Sequence, residues 1–122
     1  MMKDDLTIWH IHGLELHLDI EDADTVEKYE AALAQLEQNM PADKSGGTAA
    51  YIRAYCKAFR TLYDTLFGGG TAEQIFAGIS DNARQYTAVY GEFLTFVAKQ
   101  AAQAQEAQRQ LQKKYLPKGG KR

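Results

Sequence analysis

One cysteine, two prolines and no long apolar run set the first limits on this 122-residue chain. Cys56 has no second cysteine to pair with, so no internal disulfide is available; it falls among apolar residues at helical spacing, where a free thiol behaves as a small buried hydrophobe. No segment approaches the roughly 20 consecutive apolar residues needed to span a bilayer. The first ten residues, MMKDDLTIWH, place acids where a signal peptide would need a basic and then an apolar region. A cytoplasmic protein without membrane association is expected. Serine is also scarce: Ser45 and Ser80 both lie in turn contexts, and no acid or base stands in a recognisable nucleophile motif. The residues therefore point to no enzyme and call for no cofactor.

What is present is the composition of a soluble globular domain, 45% hydrophobic and 25% charged. A chain of this length has room for one core and buries about two-thirds of its unfolded surface. The net charge of -2 hides an asymmetry. Five of the fourteen Lys and Arg residues fall in residues 113–122, which carry no acid; the other nine stand against sixteen acids, leaving residues 1–112 at a formal -7. An acidic body repels nucleic acid at long range, so DNA or RNA binding by the folded part is not expected.

Residues 6–20, LTIWHIHGLELHLDI, carry the period of half-buried strands, with Leu14, Leu16, Leu18 and Ile20 alternating with Glu15, His17 and Asp19. His12-Gly13 supplies a two-residue loop, and a glycine there accepts the positive φ of a tight hairpin turn. Counting outward pairs Ile11 with Leu14, Trp9 with Leu16 and Thr7 with Leu18 on one apolar face. The other face carries Leu6, Ile8 and His10 opposite Asp19, His17 and Glu15. A lone hairpin is marginal in water, so its apolar face needs cover, expected from a helix bearing Val26, Tyr29, Leu33 and Leu36.

That helix is expected to open at an Asp24-Thr25-Val26-Glu27 capping box and to stop at Pro41. The next, from about Thr48 to Phe67, is the most hydrophobic segment and the predicted centre of the core. Gly68-Gly69-Gly70 ends it, and Thr71 with Gln74 reads as a second capping box before a short helix anchored by Ile75, Phe76 and Ile79. Asp81 is expected to cap a long final helix whose apolar face runs through Tyr86, Val89, Tyr90, Phe93, Leu94 and Val97. Residues 98–112 then change to AKQAAQAQEAQRQLQ, good helix formers with little to bury. The fold class expected is α+β, mainly α: an N-terminal β-hairpin followed by three to four helices, the last one long. Residues 1–97 would form the domain, and residues 98–122 a projecting helix with a basic flexible tail.

Two local patterns hint at chemistry, and each has a plainer reading. His10 faces Glu15 and lies diagonal to His17, a geometry for a weak divalent-metal site, but a zinc site needs further protein ligands, and a solvated His–carboxylate pair accounts for it. Phe67-Gly-Gly-Gly-Thr71 sets glycines before a helix, yet lacks the Lys and preceding strand of a phosphate-binding loop, so a helix–helix loop accounts for it.

The stretches Ile11 to Ile20, Val26 to Leu33, Cys56 to Phe59 and Leu66 to Phe76 together resemble a family of small phage and prophage proteins of unassigned function, encoded among tail genes in phages of Gram-positive bacteria. They span about two-thirds of the chain. His12 stands where the family's hairpin turn has Asn, and residues 98–112 are less charged than the family's pattern. The resemblance implies no active site. It implies a tail assembly chaperone, similar to proteins that coat the tape-measure protein before the tail tube polymerises around it. Such a protein needs exposed apolar surface and an open hairpin edge for self-association.

The expected interaction surface comprises Trp9, His10 and His17 on the hairpin with Leu111, Tyr115 and Leu116 on the final helix. Its expected partners are further copies of the chain and a helical client such as a tape-measure protein. A virion structural or adaptor protein, and a nucleic-acid-associated adaptor using the basic tail, are the alternatives. A small toxin-like or regulatory enzyme would need a clustered acid, base or metal set, which the sequence does not display.

Overall fold

The computed structural model describes residues 5–115, with side chains as far as Lys114. In chain order it contains β1 (Ile8–Ile11), β2 (Leu14–His17), α1 (Ala23–Asn39), α2 (Thr48–Phe67), α3 (Thr71–Ile75) and α4 (Ala83–Tyr115). The fold is α+β and mainly α: a hairpin, then four helices with the last the longest.

The hairpin has the register expected from its turn, with Ile11 opposite Leu14, His10 opposite Glu15, Trp9 opposite Leu16 and Ile8 opposite His17. Both loop residues are left-handed, His12 at φ +48° and Gly13 at +80°, as tight hairpin turns of matching twist require. A non-glycine residue there needs support. The His12 ring provides it, because Nδ1 lies 2.7 Å from the Ile75 carbonyl oxygen and donates to it, tying the turn to the end of α3.

Trp9 and Ile11 are buried, as is Leu18 just beyond β2. Their cover differs from the expectation. Trp9 meets Tyr63 and Phe67 of α2 and Phe93 and Phe96 of α4, at ring-centroid distances of 5.8, 6.1, 5.3 and 6.2 Å. The α1 stripe instead lies against α2, with Ala32 and Leu36 buried and Tyr29 and Leu33 only partly so. The physical reason lies in shape: α2 and α4 carry the aromatic residues that can enclose an indole from several sides, whereas the narrow α1 stripe lies along α2 and sets Tyr29 against Phe93 of α4 at 6.2 Å.

Helix starts also differ from the expected caps. Asp22, two residues before Asp24, caps α1 by accepting from the Thr25 N–H at 3.0 Å. Thr71 is buried inside the first turn of α3 and makes no cap hydrogen bond; the Ala72 N–H is met by the Asp64 carboxylate of α2 at 2.8 Å. Asn82 caps α4, accepting from Gln85 N–H at 2.9 Å, because Asp81 is engaged by Arg60 at 2.8 Å. Along α4, Phe96 rather than Leu94 faces the core; Leu94 is 41% exposed.

Candidate interaction surface

The expected surface residues occupy quite different places. Trp9 is only 4% exposed and is a core residue, so it leaves the candidate surface. His10 and His17 are exposed on the outer face of the hairpin, where His10 Nδ1 stands 3.8 Å from Glu15 Oε2 and His17 lies across from Ile8. Among the described residues no three His, Cys, Asp or Glu side chains gather as a metal site. Leu111 is 54% exposed on α4. The Tyr115 side chain and Leu116 lie outside the described residues.

Cys56 is fully buried, and burial pushes its thiol up, with Asp81 adding to the shift and Arg60 opposing it. A thiol so placed is a poor nucleophile. Its neighbours form a structural tie: Arg60 Nη1 donates to Asp81 at 2.8 Å and to the Tyr86 hydroxyl at 3.0 Å, joining α2 to the start of α4. Tyr63 is fully buried, its hydroxyl has no hydrogen-bond partner among the described residues, and burial pushes its pKa up.

The sequence reading missed Gln100. Only 5% exposed, its side chain donates from Nε2 to the Leu18 carbonyl at 2.6 Å and accepts at Oε1 from the Ile20 N–H at 3.0 Å. Two backbone groups left unpaired where the sheet ends are thus satisfied by one amide, which fits because an amide carries a donor and an acceptor side by side. Docking of α4 runs to Gln100, three residues past the expected limit at 97. Also missed was a groove of about 620 Å³ between β1 and α4. Small residues on that side of the helix, Ala88, Gly91 and Thr95, leave it open, and their spacing of three and four was the available signal.

From residue 101 to 114 every side chain except Ala104 is exposed. Yet the pattern of the docked half continues. Tyr86, Tyr90, Phe93, Val97, Gln100, Ala104, Ala107 and Leu111 follow at alternating steps of four and three, the seven-residue repeat that keeps one seam facing a partner helix. The first five fall on the domain. The last three extend beyond it.

A family model, described as "Family of unknown function (DUF6673)", matches residues 12–122. The chain belongs to this family. The match takes in the hairpin turn, β2, all four helices and the exposed half of α4, while β1 with Trp9 and His10 precedes it. No curated protein and no solved structure matches the chain. Within the family's span, then, lie both the Gln100 contact and the exposed seam. No helix among the described residues is long and apolar enough to cross a membrane.

Proposed function

We propose that this member of the DUF6673 family is a non-enzymatic assembly protein that offers the outer half of α4 to a helical protein partner, in the manner of a phage tail assembly chaperone holding a tape-measure protein. The observation that carries the reading is the continuation of α4 past its last docked residue. Residues 101–114 stay helical with Leu111 outward, and the seam runs on through Ala104, Ala107 and Leu111 before Lys114 takes its next position. A helix gains most of its stability from packing an apolar face, so a seam without cover in its own domain is suited to another chain. Ala104 and Ala107 let a partner backbone approach closely, and the resemblance of the chain to tail-region proteins supplies the client class.

On this reading the protein works in the cytoplasm of the bacterial host before the tail is complete. The test is co-expression with the tape-measure protein of the same phage or prophage and capture through a tag on either partner. The full chain should bring the client down, and a chain ending at Gln103 should not. Equal capture by both would overturn the reading. Purified particles separate a chaperone from a virion component, since a chaperone should be absent from them.

A further inference from the structure

We propose that, without a client, the outer seam of α4 is covered by a second copy of this chain, the two 101–114 segments lying antiparallel. The inference rests on the reading of that segment as an interaction surface and adds both its occupant and the orientation. In this arrangement Ala107 meets the second copy's Leu111, and Leu111 meets the second copy's Ala107, so a small side chain sits against a large one at both places.

The positions flanking the seam agree with a like-to-like contact. Ala101, Gln103, Gln108 and Gln110 are uncharged, so identical helices can meet without the repulsion that charged flanks would impose. The nearby charges, Glu106 and Arg109, pair with each other on the helix's own surface.

Charge then selects the direction. Residues 113–122 carry five positive charges and no acid, while residues 1–112 sum to -7. Because Gln100 holds Leu18 and Ile20, the acidic turn bearing Asp19, Glu21 and Asp22 sits where the exposed half of α4 leaves the domain. An antiparallel partner brings its Lys113 end toward this turn. A parallel partner would bring the two basic ends together. Salt confines such attraction to within about 8 Å at physiological ionic strength, so it acts only once the helices are in contact.

The segment is about 21 Å long at 1.5 Å per residue. A pair of such Ala/Gln-rich helices falls short of the ~1,200 Å² buried by stable complexes, so the contact is reversible and can give way to a client.

Sedimentation velocity of the purified full chain over a range of concentrations should show a monomer–dimer equilibrium. Leu111→Lys should leave the melting temperature of the dilute, monomeric protein unchanged and weaken the dimer at least about tenfold, since two leucines are lost per dimer. Orientation is read by mixing Ala107→Cys with Leu111→Cys chains, Cys56 being buried in both: antiparallel pairing favours the mixed disulfide. A chain that stays monomeric at every concentration, a Leu111→Lys protein that still dimerises, or a predominance of the two unmixed disulfides would overturn the proposal. A monomer that nevertheless captures the client would sink this inference and leave the proposed function standing, whereas a dimer that captures none would do the reverse.

Discussion

The two halves of α4 share one backbone and one heptad repeat but have different environments. Up to Gln100 the seam is filled by Tyr86, Phe93 and the amide of Gln100, all buried. Beyond it the same positions hold Ala104, Ala107 and Leu111, the last two of them exposed. The contrast teaches that the period of a seam and the size of the residues on it carry separate information. Period says that a helix has a face; size says whether that face is closed by the same chain.

The deepest break in the comparison comes from the packed side. Trp9→Ala should cost ~3–5 kcal/mol in denaturant unfolding, since the indole sits among four aromatic rings that cannot all close the void. A loss below ~1 kcal/mol would mean that the hairpin is not held by α2 and α4. Gln100→Ala should cost ~1–3 kcal/mol, the range for stranding buried backbone groups, and hydrogen exchange should speed up at the Ile20 amide. Were exchange there unchanged, water would be replacing the amide and Gln100 would not mark the edge of the domain.

Smaller effects sharpen the contrast. Gly91→Ala should stabilise the protein by ~0.5–1 kcal/mol, because Gly91 lies inside a helix and an added Cβ meets nothing within 4 Å. Destabilisation would indicate that the groove beside β1 does not tolerate even a methyl group. Ending the chain at Gln103 should change unfolding free energy by less than ~0.5 kcal/mol, as the residues removed are exposed except Ala104. Ending it at Lys99 should cost as much as Gln100→Ala or more. Two equally harmless truncations would place the boundary of the fold before Gln100.

Much of this architecture was readable from local rules. The His12-Gly13 turn and the alternation around it define the hairpin register, since a slip of one residue would turn Trp9 and Leu16 outward. Glycines bound α2 as expected, because Gly68 takes a φ of +111° that other residues avoid. The caps were less legible. Asp22 and Asp24 can each cap α1, as Asp81 and Asn82 can each cap α4, and the choice at α4 depends on Arg60, which lies on another helix. Gln100 could not be identified by any window of neighbours, for its partners lie about 80 residues away and a glutamine in an Ala/Gln run looks like solvent-facing filler. Leu111 was legible for the opposite reason: a single large apolar residue in that run has nothing nearby to pack on.

The Gln100 contact also bears on the order in which the protein can fold. The hairpin is synthesised first, but its indole is enclosed by rings at positions 63, 67, 93 and 96, and its last backbone groups are met by residue 100. Such long loops must close before the contacts that reward closure exist, which slows folding and leaves early segments waiting. During translation the hairpin remains without its core until residues 93–100 have left the ribosome, while α1 and α2, close in sequence, can already pair. Nascent chains arrested far enough past residue 80 to free α2 from the exit tunnel should therefore present a helical pair with Trp9 in water, and those followed by a linker long enough to free residue 100 as well should bury it.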